Sequence, residues 1–133
     1  MTLTCSYTLC AAHELYRPQA SEAQNQETFG ACANIHGHQY TVDVVLAGDM
    51  DPQTGMLINA YNVDEIAGTF LKKNLAHKFL NKDVSFFKDR PPTAEWIAFW
   101  IFSELKTKFP VGVTLKKIVV HETPTMSVEY SGM

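Results

Sequence analysis

The sequence lacks any apolar run approaching the ~20 residues that a membrane-spanning helix needs. Residues 1–5 also lack the basic start and apolar segment of a signal peptide. From these two absences we expect a cytoplasmic protein that has no membrane partner.

Cysteine and positive charge are both scarce. The three cysteines, Cys5, Cys10 and Cys32, are too few and too irregularly spaced for a disulfide framework, so we expect free thiols. A formal net charge of -3 gives no support to a nucleic-acid partner, which favours a basic surface. The length of 133 residues predicts one domain over residues 1–133 with a sizeable core.

Hydrophobic periodicity predicts an α+β fold. A period of two marks strands, and a period near 3.6 marks helices. We predict strands over 3–13, 36–48, 114–121 and 127–131, helices over 62–75 and from Thr93 onward, and a long loop over 14–35. Because like elements run together, an antiparallel four-stranded sheet with two helices on one face is favoured.

Three histidines are predicted to meet at one end of the sheet. His36 and His38 lie two apart in a strand, so their side chains project from the same face. His13 ends the first strand, and a hairpin of the two strands brings it beside the pair. Three neutral imidazoles with a fourth position open form a common catalytic zinc site.

Cys32 lies four residues before His36, and its role is open from the residues alone. A thiol beside a metal ion is a candidate base or nucleophile. The same thiol is also a candidate fourth zinc ligand, which would close the site and leave it structural. His77 and Glu122, taken alone, are typical surface residues.

Several motifs together resemble one family, the 6-pyruvoyl-tetrahydropterin synthase superfamily. The run from Cys32 to His38 resembles the C-x-x-x-H-G-H signature of its bacterial queuosine-pathway branch, the 6-carboxytetrahydropterin synthases. The eukaryotic-type synthases place the cysteine two residues further upstream, where this chain has Gly30. Further similar segments are Ala11 to His13, Leu75 to Asn81, Pro92 to Glu95 and His121 to Thr123.

The resemblance implies a fold, a cofactor and a reaction. The fold is the tunnelling fold (T-fold), whose members join sheets into a trimeric barrel and stack two trimers, so we expect a homo-oligomer. Zn²⁺ on His13, His36 and His38 would polarise the side chain of a pterin triphosphate substrate. Cys32 would move protons, and His77 and Glu122 would complete a relay, with Glu122 anchoring the pterin.

One position departs from the family pattern. The aspartate before the relay histidine is Ala76 here, and a carboxylate at that place would fix the tautomer of His77. We predict a zinc-dependent lyase that converts 7,8-dihydroneopterin triphosphate to 6-carboxy-5,6,7,8-tetrahydropterin. The alternatives are 6-pyruvoyl-tetrahydropterin synthase activity, or a pterin-binding homologue with weak or no catalysis.

Overall fold

The computed structural model describes residues 1–132, which form four strands and several helices. The strands are β1 (Thr2–His13), β2 (His36–Gly48), β3 (Val113–Thr123) and β4 (Met126–Tyr130). The helices are α1 (Glu22–Phe29), α2 (residues 60–74), α3 (Leu80–Asp83) and α4 (Ala94–Leu105), with 3₁₀ turns at Gly30–Ala33 and Ser85–Phe87.

The strands form one antiparallel sheet in the order β1-β2-β3-β4. Alternate residues of β1 and β2 point into the core, as the period of two predicts. The register pairs His13 with His36 and Ala11 with His38. This pairing places the three histidines at the same end of the sheet.

Helix α1 corrects one prediction, because residues 14–35 are not an uninterrupted loop. Ser21 and Gln24 form a capping box: the Ser21 hydroxyl accepts the Gln24 N–H at 3.1 Å, and the Gln24 side chain accepts the Ser21 N–H at 2.8 Å. The helix buries only Asn25, so it has no apolar stripe for a periodicity analysis to detect.

Helix α2 begins at the Asn59 cap, whose side chain accepts the Tyr61 N–H at 2.9 Å. Its middle turn, Asp64–Gly68, is a π-helix between α-helical Ala60–Val63 and Thr69–Asn74. A Cβ at Gly68 would lie 3.0 Å from the Tyr7 ring, and the Tyr7 hydroxyl donates to Asp64 at 2.7 Å. The π-helical turn therefore packs directly against Tyr7 of β1.

Helix α4 begins at Ala94, one residue after the predicted start, and Thr93 is its N-cap: the Thr93 hydroxyl accepts the Trp96 N–H. Ile97, Trp100, Ile101 and Leu105 form an apolar stripe that is buried in the core that the helices share with the sheet. The opposite face of the sheet carries polar side chains. None of the helices within residues 1–132 combines the length and the apolar composition that crossing a membrane requires.

Candidate metal centre and active site

The three predicted histidines converge. One ring nitrogen from each of His13, His36 and His38 lies within 4.8 Å of the others. The ring centroids are 4.5 Å apart for His13 and His36, and 5.0 Å apart for His36 and His38. Strand pairing brings these side chains together although they are far apart in sequence.

Two backbone carbonyls fix the tautomers of His13 and His36. Nδ1 of His13 lies 2.8 Å from the carbonyl oxygen of Pro92, and Nδ1 of His36 lies 2.7 Å from that of Asn34. A carbonyl oxygen only accepts, so each Nδ1 carries the proton and each Nε2 presents a lone pair.

The two Nε2 atoms of His13 and His36 face each other at 3.0 Å. Two lone pairs at that distance repel unless a cation lies between them. Ligands at ~2.0–2.1 Å from a tetrahedral zinc ion are separated by about 3.3 Å, close to the observed spacing. The donor set and its geometry therefore fit Zn²⁺.

His13 is fully buried, and its environment favours the neutral ring. Burial lowers the pKa of His13 from 6.5 to about 4, with smaller contributions from His36 and His38, against the opposing hydrogen bond to Pro92. The Tyr40 hydroxyl lies 3.3 Å from Nδ1 of His13, and burial together with the Glu122 charge raises the pKa of Tyr40. Tyr40 therefore stays a neutral phenol beside a neutral imidazole.

We predict that this burial makes the metal-free protein sensitive to acid. The pKa of His13 is lower in the folded than in the unfolded chain, so the unfolded chain binds the proton more readily between pH 6.5 and 4. The free energy of unfolding should fall by up to about 3 kcal/mol as the pH drops through that window, with no contribution from His13 above it. Urea unfolding of chelator-treated protein measures this quantity.

Because carboxylates also titrate in that window, the measurement needs a matched variant. In His13→Asn the imidazole is replaced by an amide that does not titrate, so the stability of this variant should fall less steeply than that of the parent. Parallel curves for the two proteins between pH 6.5 and 4 would contradict the assignment.

Glu122 lies beside the third histidine. Its Oε1 atom is 3.2 Å from Nε2 of His38, within ion-pair distance. The angles there do not satisfy a hydrogen bond, and Nε2 of His38 is buried without any hydrogen-bond partner among residues 1–132. A buried ring nitrogen left unpaired beside two others is what a metal-binding site requires before the metal is bound.

Cys32 lies in the 3₁₀ turn Gly30–Ala33, and its side chain is exposed. Its carbonyl accepts the Leu15 N–H at 2.8 Å, which ties the turn to the chain just beyond β1. The cluster of potential ligand atoms within residues 1–132 contains the three histidines and not this thiol. A closed site with sulfur as fourth ligand is therefore not supported.

His77 is held in an unusual backbone conformation, with φ at 60°. Its N–H donates to the Cys10 carbonyl at 2.7 Å, and the Ala12 N–H donates to the Lys78 carbonyl at 2.9 Å. The His77 ring and Cys10, whose role the sequence left open, line a pocket that also reaches His38. Within residues 1–132 the carboxylates in contact with imidazoles are Glu122 and Asp43, and neither contacts His77.

Sequence reasoning missed one group of polar residues. Asp43 accepts hydrogen bonds from Ser6 and His121 on the sheet face opposite the helices. In the sequence Asp43 is simply the polar residue of an alternating strand, and His121 is known only as the neighbour of Glu122. Nothing in the spacing indicates that they touch.

Comparisons with known proteins agree with the motif resemblance. The family model described as 6-pyruvoyl tetrahydropterin synthase matches residues 2–133. A relative from Drosophila melanogaster, named 6-pyruvoyl tetrahydrobiopterin synthase, is 39% identical over 98% of this chain and 79% of its own. The human protein of that name is 39% identical over 92% of this chain and 85% of its own.

Two further comparisons concern the fold and the other branch. A solved structure of Caenorhabditis elegans 6-pyruvoyl tetrahydropterin synthase superimposes with a TM-score of 0.92 at 35% identity, over 100% of this chain and 96% of that one. This similarity confirms the predicted T-fold. A Bacillus subtilis relative named 6-carboxy-5,6,7,8-tetrahydropterin synthase is 31% identical over 79% of this chain and 73% of its own. From the family model, the relatives and the fold together, the chain belongs to the 6-pyruvoyl tetrahydropterin synthase family.

Proposed function

We propose that this chain is a zinc-dependent lyase that converts 7,8-dihydroneopterin triphosphate to 6-pyruvoyl-tetrahydropterin. The observation that carries the proposal is similarity at 39% identity, over 92–98% of the chain, to animal proteins named 6-pyruvoyl tetrahydrobiopterin synthase. The cluster of three imidazoles supports it, because three such ligands would hold a zinc ion and leave a fourth coordination position for substrate.

This proposal adopts 6-pyruvoyl-tetrahydropterin synthase activity, which the sequence analysis gave as an alternative. It replaces the first prediction, synthesis of 6-carboxy-5,6,7,8-tetrahydropterin. The C-x-x-x-H-G-H spacing favours the 6-carboxytetrahydropterin branch, yet the relative so named is less similar and matches a smaller part of the chain. The spacing between Cys32 and His36 depends on the exposed 3₁₀ turn that carries Cys32. Because surface loops tolerate small changes in length, this spacing is a weak criterion for choosing between the two branches. The comparisons give no support to the link with queuosine synthesis.

His13, His36 and His38 are the residues that would hold the zinc ion. When bound, zinc acts as a Lewis acid that favours proton loss from a substrate hydroxyl. The Pro92 and Asn34 carbonyls keep two of the imidazoles in the ligating tautomer, and Glu122 presents a carboxylate next to the third.

The roles of the other three side chains follow from the resemblance and are part of the proposal. Cys32 is exposed on the turn leading into β2, where its thiol would exchange protons with the substrate. Glu122 would anchor the pterin through its carboxylate. His77 would take part in proton transfer, although Ala76 leaves it without an adjacent carboxylate.

Assembly into a homo-oligomer is also proposed. The two outer strands of the sheet, β1 and β4, have backbone groups available for pairing with a second copy. The resemblance implies that copies join edge to edge into a barrel of three sheets. Such joining brings residues of one copy next to the metal centre of another.

Product analysis tests the proposed reaction. Zinc-loaded protein incubated with 7,8-dihydroneopterin triphosphate should release triphosphate and 6-pyruvoyl-tetrahydropterin without acetaldehyde. Acetaldehyde formed in step with the pterin product would assign the chain to the 6-carboxytetrahydropterin branch instead. Tight pterin binding without turnover would make it a binding protein.

A further inference from the structure

The end of β1 that carries the first histidine is held by a second segment of the chain, residues 77–81. His77 N–H donates to the Cys10 carbonyl at 2.7 Å, and Ala12 N–H donates to the Lys78 carbonyl at 2.9 Å. β1 is an outer strand of the sheet, so these bonds lie on the side that β2 does not cover. The segment thus extends the sheet locally at the end where the three histidines meet.

Asn81 continues this pairing with its side chain. Its Oδ1 atom accepts the Glu14 N–H at 2.9 Å, and its Nδ2 atom donates to the Glu14 carbonyl at 2.8 Å. These two bonds, the Asn81 clamp, satisfy both backbone groups of one residue, as a paired strand does. Because helix α3 begins at Leu80, the main chain is helical at this point and a side chain supplies the bonds instead.

His13 lies between two residues that are held in this way. Ala12 on one side bonds to the 77–81 segment, and Glu14 on the other bonds to Asn81. His13 itself is paired with β2. The ends of strands fray when their backbone groups have no partner. The Asn81 clamp therefore fixes the backbone from which the fully buried His13 imidazole projects.

Metal coordination makes the position of this backbone matter. A binding site needs its groups within ~0.5 Å of the productive geometry. The Nε2 atoms of His13 and His36 lie 3.0 Å apart, close to the spacing of two ligands on a tetrahedral zinc ion. If the end of β1 moved freely, this spacing would be lost part of the time. Zinc affinity would then fall with the fraction of molecules that keep the competent arrangement.

We propose that Asn81 is a positioning residue of the metal centre, which holds the end of β1 in the arrangement that binds zinc. This inference rests on the zinc site of the proposed function. In this role the Asn81 amide acts through the backbone of Glu14 on the neighbouring His13, and not by contact with metal or substrate. Because the same segment carries His77, the clamp also fixes the proposed proton-transfer residue relative to a metal ligand.

Asn25 offers a matched control, because its side chain makes the same kind of contact elsewhere. Its Oδ1 atom accepts the Arg17 N–H at 2.8 Å, and its Nδ2 atom donates to the carbonyls of Arg17 and Ser21 at 3.2 and 3.1 Å. Asn25 is 1% exposed, whereas Asn81 is half-buried. Asn25→Ala should therefore destabilise the fold at least as much as Asn81→Ala, while the end of β1 stays clamped.

The test measures the zinc affinity of the full-length protein by competition with a chelator, under conditions where every variant is folded. Asn81→Ala is expected to bind zinc about tenfold more weakly than the parent, the lower end of the range for losing a group that supports a metal ligand. Asn25→Ala should stay within about twofold of the parent, as expected for a site that is not coupled to the ligands. Cobalt(II) loaded in place of zinc reports the ligand geometry, so its visible absorption spectrum should change in Asn81→Ala and not in Asn25→Ala.

Equal zinc affinities for Asn81→Ala and Asn25→Ala would overturn the proposal. If Asn81→Ala does not fold, Asn81→Asp decides instead, because a carboxylate has the shape of the amide but does not donate to the Glu14 carbonyl. Zinc binding weakened about threefold or more in Asn81→Asp would support the proposal, since it matches the loss of one hydrogen bond. An unchanged affinity would refute it.

These outcomes are separable from that of the proposed reaction. Tight zinc binding by the parent without turnover would refute the reaction, and the affinities of the variants would still decide the role of Asn81. A parent protein that does not bind zinc would refute both.

Discussion

Replacing His36 with alanine is expected to weaken zinc binding by more than about 100-fold and to abolish turnover. Loss of a hydrogen-bond partner behind a ligand typically costs ~10–100-fold in metal affinity, and loss of the ligand itself costs more. His36 supplies one of only three imidazoles in the cluster, and its Nε2 is 3.0 Å from that of His13. Metal analysis after dialysis, followed by turnover assays at saturating zinc, measures both effects.

His36 suits this experiment better than His13 because its side chain is only partly buried. Its removal should leave the fold intact, as circular dichroism can check. His77→Ala is the control: it removes an exposed imidazole outside the cluster and should keep a full complement of zinc. Equal zinc retention by His36→Ala and His77→Ala would show that the cluster is not the metal site.

Replacing Cys32 with alanine is expected to reduce kcat by ~10²–10⁴-fold, the range typical of a general acid–base residue. Zinc content should stay the same, because the thiol lies outside the three-imidazole cluster. Because the residue is exposed on a short turn, its truncation removes the thiol group and few packing contacts. Steady-state kinetics and metal analysis on the same preparation test the two statements together.

Cys5→Ala is the matched control for this prediction. Cys5 is a half-buried thiol within β1, remote in the strand from the histidine end, and its loss should change kcat by no more than a few-fold. Two outcomes contradict the role of Cys32: unchanged turnover in Cys32→Ala, or zinc lost in proportion to activity. The second would mean that the sulfur binds the metal after all.

The strands and the two longer helices could be predicted from sequence because each buries one regular face. β1 alternates along its length and β2 alternates as far as Val44, and the apolar stripe of α4 follows a good N-cap at Thr93. Helix α1 could not be found in this way. It buries only Asn25, and what holds it is a capping box that a scan for apolar periodicity does not detect.

The same distinction between regular and irregular segments applies to the candidate site. His13, His36 and His38 could be brought together from strand parity and one hairpin, since all three belong to regular elements. The hydrogen-bond partners that set the tautomers of His13 and His36 could not be predicted, because the Pro92 and Asn34 carbonyls come from irregular segments. Likewise, the contact between Asp43 and His121 depends on how β2 and β3 are aligned, and alternation within one strand does not specify that alignment.

The segment that carries His77 also limits how a second molecule can dock. Its hydrogen bonds to Cys10 and Ala12 occupy the free side of β1 close to the histidines. A neighbour joining along β1 is therefore confined to residues 2–9. In the proposed oligomer a partner strand paired there would end at Leu9, four residues before His13, so the contribution of a second copy to the candidate metal centre would come from residues beyond that paired strand.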